Sequence, residues 1–169
     1  MSAADGALWL ANPAACWTDS PGQDAGGGIV VQGGHIVEQV AAGGEPGTHC
    51  SARIDASGLV LLPGLVNTHH HFYQTLTRAL PAAQDKELFD WLGALYPVWA
   101  GMDEECIAVS TELALAELLL SGCTTAADHH YVFGEAFANA IDVQVEVAQR
   151  MGMDHMGPYM FNASRFALG

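Results

Sequence analysis

The sequence is short of basic residues. It has 5 lysines and arginines against 19 aspartates and glutamates, which gives a formal net charge of -14 at pH 7 with histidine neutral. This balance repels phosphate groups, and there is no basic stripe that could follow a nucleic acid or an anionic membrane. Nucleic acid and membrane are therefore not expected as partners, and a small neutral substrate is favoured.

Cysteine is also scarce. The 4 cysteines in the chain, Cys16, Cys50, Cys106 and Cys123, are far apart and form no CxxC pair, which suits reduced thiols in an enzyme better than a disulfide scaffold. No apolar run approaches the length that spans a bilayer, and the N-terminus lacks the basic and apolar regions of a secretory signal. We therefore expect a cytoplasmic protein.

Apolar residues are plentiful, at 50% of the chain, which is enough for a core. Between Ala7 and Leu62, short apolar runs alternate with glycine, and the runs on either side of Gly33 and Gly34 predict a β-hairpin. Residues 1–62 are therefore expected to form a small β-sandwich or partial barrel.

The pattern changes after Pro63. Leu65 and Val66 predict a buried strand, and apolar residues at spacings of three and four predict a helix from Leu88 to Trp99. A second helix is expected from an N-cap at Asp103 to Gly122.

A further strand over residues 123–127 precedes a third helix, expected from about Glu135 to Arg150. Phe137, Ile141, Val145 and Ala148 would line one face of that helix. The alternation of strands and helices from residue 65 onward predicts parallel strands with right-handed crossovers.

Three consecutive histidines, His69, His70 and His71, follow the strand that begins at Leu65. Extended backbone sends alternate side chains to one face, so His69 and His71 are expected to point the same way. Neutral imidazole is the commonest side-chain metal ligand, and buried polar rings need partners. The run predicts a metal site at His69 and His71, with a stacked or hydrogen-bonded histidine run as the alternative.

A second polar cluster, Asp128, His129 and His130, follows the next strand. In parallel α/β architectures the chemistry gathers at the carboxyl ends of the strands, so both clusters should share one mouth. Asp128 and His130 would point one way and His129 the other. Each of the two histidines is a candidate for the substrate pocket or for ordinary packing.

Two segments together resemble the amidohydrolase superfamily: Ile54-Asp55-Ala56-Ser57-Gly58 and Pro63-Gly64-Leu65-Val66-Asn67-Thr68-His69-His70-His71. More narrowly, residues 72–78, 88–92 and 95–99 are similar to its branch of 8-oxoguanine deaminases and triazine hydrolases. The resemblance covers about residues 7 to 150.

The resemblance implies an α/β fold, namely the N-terminal part of a (β/α)8 TIM-like barrel preceded by a small β domain. It implies that His69 and His71 bind one divalent metal, zinc or alternatively iron. Gln74, three residues after the pair, would contact the substrate, and Trp91 would lie in a helical insert that helps to close the pocket.

The activity implied by this family is hydrolytic deamination of a purine-like heterocycle. The cation lowers the pKa of its bound water, and the resulting hydroxide attacks a ring carbon while ammonia leaves. A triazine amino- or chlorohydrolase, which uses the same nucleophile, remains an alternative. The other metal ligands and the proton-shuttling glutamate come from later barrel strands in this family, so no catalytic residue is assigned in this chain.

A barrel of this kind typically needs about 250 residues, so residues 63–169 are expected to supply only its first βα units. Residues 151–169 lack the continuous apolar run of a buried strand and form an atypical tail. The chain is expected to be truncated and inactive alone, or to be a non-catalytic fragment that needs a complementary chain. Asp154 and His155 are disfavoured as replacement ligands, and a homo-oligomeric parent enzyme is left open.

Overall fold

The structure, a computed structural model, describes residues 6–18 and 24–153. The chain divides into two compact units, Met1–Pro63 and Gly64–Gly169. Over its described residues, the first unit has strands and no helix, and the second unit is mixed α/β. Asp154 and His155 lie outside the described residues. Within the part of the chain that is described, no helix has both the length and the hydropathy needed to cross a bilayer.

The first unit is built around one four-stranded sheet. Its strands are β1 (Ala7–Ala11), β3 (Gly28–Gln32), β4 (His35–Val40) and β5 (Cys50–Asp55), in the order β4-β3-β1-β5, and β2 (Ala15–Cys16) pairs separately with β6 (Val60–Leu61). The predicted hairpin is confirmed, because β3 and β4 are antiparallel and Gly33 and Gly34 turn between them with φ of 57° and 79°. A β-sandwich is not confirmed.

The core of this unit lies on one face of its sheet, where Trp9, Val30 and Val40 are buried together. The edge strand β5 turns mostly exposed side chains outward, and Ile54 is 51% exposed. Among the described residues this unit has the four-stranded sheet and the two-stranded pair of β2 and β6, so the expected β-sandwich or partial barrel stays a prediction.

The second unit alternates strands and helices as predicted. Its elements are β7 (Leu65–His70), 3-10 helices at Phe72–Thr77 and Pro81–Ala83, α1 (Leu88–Trp99), α2 (Glu104–Leu120), β8 (Cys123–Asp128), a 3-10 helix at Glu135–Phe137, and α3 (Ala140–Arg150). β7 and β8 are parallel neighbours, with α1 and α2 in the connection between them. Over the described residues the sheet of this unit has these two strands, and no closed barrel is formed.

Helix α2 begins and ends where its local sequence places the caps. The Asp103 carboxylate accepts a hydrogen bond from the Cys106 amide at 2.9 Å, which satisfies one of the free N–H groups of the first turn. Gly122 follows the C-cap with a φ of 84°, a conformation that favours glycine. The prediction of this helix from Asp103 to Gly122 is confirmed.

One predicted burial pattern is wrong, and another is confirmed only in part. Leu65 and Val66 of β7 are 57% and 62% exposed, because β7 has one neighbouring strand among the described residues and the helices pack instead on residues such as Ala126 of β8. The third α-helix begins at Ala140 rather than near Glu135, after a separate 3-10 turn.

This late start rotates the buried face of α3. Of the predicted face, Phe137 and Ala148 are buried, but Val145 is 36% exposed and Ile141 is only partly buried. Gln144 and Val147 are buried in addition. The predicted face was counted at 3.6 residues per turn from Phe137, which holds only for one continuous helix. Because the 3-10 turn at Glu135–Phe137 is separate from α3, that count does not carry into α3.

The ladder between β7 and β8 contains two irregularities. Leu65 pairs with Cys123 and Val66 with Thr125, so β8 has a surplus residue there. Further along, Asn67 pairs with Ala126 and His70 with Asp128, so here the surplus lies on β7. β-bulges of this kind re-aim side chains, and this one lies beside the run of histidines at the end of β7.

Candidate functional site

The ends of the two parallel strands bring three histidines together. His69 and His71 come from the end of β7, and His129 directly follows β8. The His69 ring stacks on the His129 ring with centroids 4.1 Å apart and an interplanar angle of 25°. The His71 ring stands edge-on to both, with centroids 5.1 Å from His69 and 5.9 Å from His129. The two polar clusters therefore lie together at the carboxyl ends of β7 and β8, as the sequence predicted.

The Nε2 atoms of His69 and His71 converge to 3.3 Å. Two nitrogens that coordinate one tetrahedral zinc at roughly 2.0–2.1 Å lie about 3.3–3.4 Å apart, so the separation in the protein fits a shared cation. The same distance also suits a hydrogen bond from one neutral ring to the other. In both arrangements the Nε2 atom of each ring points toward the Nε2 atom of the other.

The orientation of the His71 ring is fixed by a hydrogen bond on the side opposite Nε2. Its Nδ1 lies 2.7 Å from the carbonyl oxygen of His129, and because a carbonyl only accepts, Nδ1 must carry the proton. The Nε2 lone pair is then directed toward His69. Burial, reinforced by the neighbouring His69 and His129 rings, lowers the pKa of His71, so the ring is neutral near pH 7 and its lone pair is available to a cation.

Gln74 lies on the same side as the pair. A cavity of about 290 Å³ is lined by His69, His71 and Gln74, among others. The Gln74 Nε2 donates to the hydroxyls of Tyr73 at 3.1 Å and Tyr131 at 3.0 Å. With both N–H groups engaged, the amide is held in one orientation and its Oε1 remains as the acceptor.

Tyr131 was not identified from the sequence. Its ring stands edge-on to His71 with centroids 5.3 Å apart, and its hydroxyl holds Gln74. The signal that could have found it is its position two residues after His129, which is the same spacing that pairs His69 with His71.

His130 and Trp91 lie elsewhere. His130 is 4% exposed, its Nε2 lies 2.6 Å from the Val132 carbonyl, and its ring packs edge-on against Tyr73. Trp91 on α1 packs against Trp99 with ring centroids 5.6 Å apart. The structure thus places His129 beside His69 and His71, places His130 in the packed interior on the other side of the strand end, and places Trp91 against the helical core.

Asp128 was placed in the second polar cluster by the sequence, and the structure shows its contacts. It is 7% exposed, and its carboxylate accepts hydrogen bonds from the Phe72 amide and the Gln144 side chain, both at 2.8 Å. Burial raises the pKa of Asp128 to about 6 although these two donors oppose the shift. Burial also lowers the pKa of His130, whose Nδ1 lies 3.8 Å from the carboxylate, to about 4.

The set of metal donors among the described residues is small. Over residues 6–18 and 24–153, no group of three or more histidine, cysteine, aspartate or glutamate side chains is placed to hold a metal ion. His69 and His71 are the pair whose nitrogens converge, and they can supply two neighbouring ligands of a divalent metal.

Comparison with known proteins gives a consistent family match. Residues 60–164 match the model of the amidohydrolase family. The chain is 55% identical over 148 residues to an 8-oxoguanine deaminase of Pseudomonas aeruginosa, and the match covers 88% of this chain and 33% of that protein.

Two solved structures from Arthrobacter aurescens are similar. A triazine hydrolase superposes with a TM-score of 0.75 at 28% identity, covering 88% of this chain and 34% of the other. An atrazine chlorohydrolase complexed with zinc has a TM-score of 0.55 at 33% identity, covering 60% of this chain and 24% of the other. The chain therefore spans about a third or less of the length of the relatives it matches.

Proposed function

The chain belongs to the amidohydrolase family, and from this premise we propose that it supplies the metal-binding strand pair of an enzyme that deaminates a purine-like heterocycle by hydrolysis. The observation that carries the proposal is the convergence of the His69 and His71 Nε2 atoms at 3.3 Å. The identity of 55% to an 8-oxoguanine deaminase supports a substrate similar to 8-oxoguanine.

In this proposal His69 and His71 hold a divalent metal, zinc before iron. Zinc is supported by the chlorohydrolase relative that was crystallised with it. When bound, the cation makes water a strong enough acid to supply a nucleophile near neutral pH. The carbonyl of His129 keeps the proton of His71 on Nδ1, so that Nε2 stays free to bind.

Gln74 would orient the substrate. Its amide nitrogen is engaged by Tyr73 and Tyr131, and its oxygen would accept a hydrogen bond from a ring N–H of the substrate. His129 would form one wall through its stack on His69. Trp91 and His130 are also proposed to contact substrate, which would require them to leave their present packing, Trp91 against Trp99 and His130 in the interior.

The 169-residue chain is proposed to be inactive alone. The support is its small donor set, because the described residues offer two converging metal ligands and no group of three or more.

The four unpaired thiols support a reducing compartment such as the cytoplasm.

Metal binding by the chain tests the first half of the proposal. Zinc titration by calorimetry should show one site in wild type, and His69→Ala and His71→Ala should each lower the affinity by at least about tenfold, because each removes one ligand. His35→Ala, which removes an exposed histidine of β4, is the matched control and should bind as wild type. Equal affinities in all four proteins would contradict the site.

A chimera tests the second half. Residues 1–150 would replace the corresponding part of the Pseudomonas aeruginosa 8-oxoguanine deaminase, which is 55% identical over 148 residues. The chimera should release ammonia from 8-oxoguanine, the isolated chain should not, and His69→Ala in the chimera should abolish turnover. A folded, zinc-loaded chimera without turnover would refute the assignment.

The alternative function is triazine hydrolysis. It is supported by the triazine hydrolase structure, which superposes on this chain with a TM-score of 0.75 at 28% identity. Assaying the same chimera on 8-oxoguanine and on a chlorotriazine separates the two, because the leaving group is ammonia in one case and chloride in the other.

A further inference from the structure

The carboxylate of Asp128 is the feature from which a further role can be inferred. It is buried at the end of β8, and each of its oxygens has a different partner. Oδ1 accepts the amide of Phe72 at 2.8 Å, and Oδ2 accepts the side-chain amide of Gln144 at 2.8 Å. Gln144 is itself only 1% exposed. A buried carboxylate with two donors is a fixed acceptor rather than a mobile one.

The partner on Oδ1 is the amide that directly follows His71. The residue that follows Asp128 is His129, whose carbonyl accepts the His71 Nδ1 proton at 2.7 Å. The His129 amide donates back to the carbonyl of His70 at 2.8 Å. Residues at the end of β8 therefore fix His71 by two contacts. Asp128 binds the Phe72 amide that follows His71, and the His129 carbonyl binds the His71 ring.

These contacts depend on one another. The ring bond from His71 to the carbonyl of His129 needs the backbone of residues 71 and 72 to lie at a fixed distance from the end of β8. The Asp128 carboxylate spans 56 positions of sequence to supply that fixed point. Gln144 on α3 orients the carboxylate, since an ionised group this buried requires donors on both oxygens.

We propose that Asp128, oriented by Gln144, is a positioning residue for the His69 and His71 pair: by holding the Phe72 amide it keeps His71 in the Nδ1-protonated form with Nε2 toward His69. The inference rests on the proposed function for its consequence in metal binding, but its geometry can be tested without metal. The competing possibility is that Asp128 only stabilises the packing of the 3-10 helix at Phe72–Thr77 against β8.

The test uses the full 169-residue chain and four proteins. Asp128→Asn keeps an oxygen acceptor for Phe72, and its amide can donate to Gln144 if the glutamine amide turns over. Asp128→Leu removes the acceptor. Thr75→Val is the structural control, because the Thr75 hydroxyl, in the same 3-10 helix, donates to the carbonyls of Phe72 and Ser110, both at 2.9 Å, rather than to His71.

Each protein would be measured in three ways. Long-range nitrogen–proton spectra of the histidine rings at pH 7.5, without metal, report which nitrogen of His71 carries the proton. Zinc calorimetry reports affinity, and urea unfolding reports stability. Wild type, Asp128→Asn and Thr75→Val should show His71 as a single Nδ1-protonated form. Asp128→Leu should show a mixture and bind zinc about 10- to 100-fold more weakly.

Stability alone does not separate the two roles, because Asp128→Leu and Thr75→Val should both unfold more easily. Asp128→Leu with an unchanged His71 tautomer and unchanged zinc affinity would overturn the inference. If Asp128→Leu does not fold, Gln144→Leu takes its place with a smaller shift in the same direction, and a wild-type tautomer and affinity there would equally overturn it. If wild type binds no zinc while Asp128→Leu still frees the His71 ring, the positioning role stands and the metal function falls.

Discussion

The buried pair of Asp128 and His130 predicts an unusual dependence of stability on pH. The pKa of Asp128 is raised by burial from its ordinary value of 3.8 to about 6, and that of His130 is lowered by burial from 6.5 to about 4. The carboxyl binds its proton more tightly in the folded chain, so its contribution to the free energy of unfolding grows as the pH falls. The histidine stays neutral in the folded chain while the unfolded chain takes up a proton, so its contribution shrinks.

The two effects can be compared between pH 7.5 and pH 5. From the cited pKa values, Asp128 gains roughly 1 kcal/mol and His130 loses roughly 2 kcal/mol, so the two contributions largely offset each other in wild type. Asp128→Asn removes the gain from Asp128, so this variant should lose roughly 2 kcal/mol of stability over the same range. His130→Asn removes the loss from His130, so this variant should gain roughly 1 kcal/mol.

Urea unfolding at intervals of half a pH unit measures these differences, with fluorescence as the signal because Trp99 is fully buried. The range stays above pH 5 because a chain with 19 acidic and 5 basic residues approaches zero net charge as its carboxylates become protonated. Asp142→Asn, at an exposed aspartate of α3, controls for the loss of one charge. Parallel curves for wild type and Asp128→Asn would refute the raised pKa of the carboxyl.

Three further predictions concern the stability of the second unit and are all measured by urea unfolding. Asp103→Ala removes the N-cap of α2 and should cost about 1 kcal/mol; a cost near zero would show that the cap is replaced by water. Trp99→Ala empties a fully buried site and should cost about 3–5 kcal/mol, and a loss below about 1 kcal/mol would contradict the packing. Gly64→Ala places a Cβ that overlaps the Thr124 side chain, so it should destabilise the unit, and Thr124→Gly should relieve much of that loss; additive effects would exclude the contact.

The parts of the fold that could be predicted from sequence are those set by local chemistry. The caps of α2 at Asp103 and Gly122 are decided within one turn of chain, and the structure has both. The parallel pairing of β7 with β8 follows from the alternation of strands and helices, and it brings the two histidine clusters to one edge.

The parts that could not be predicted depend on distant neighbours. Exposure of Leu65 and Val66 is decided by which strands and helices cover β7, and a strand pattern does not contain that information. The roles of Asp128 and Tyr131 arise from contacts to Phe72 and Gln74 that span 56 and 57 positions. A charged residue after a strand does not by itself reveal which amide it will accept.

The paired bulges of β7 and β8 bear on how this segment can change in length. Leu65 faces Cys123 and His70 faces Asp128, so both strands use the same number of residues between these points although each skips one pairing. The surplus residue of a bulge is unpaired, so deleting Thr124 alone would remove the first bulge and leave His70 opposite Asp128. Deleting a regularly paired residue such as Val66 would instead shift the pairing beyond it and turn the histidines out of phase. Deletions in this part of the ladder should therefore be tolerated at the bulge of β8 and rejected at the paired positions.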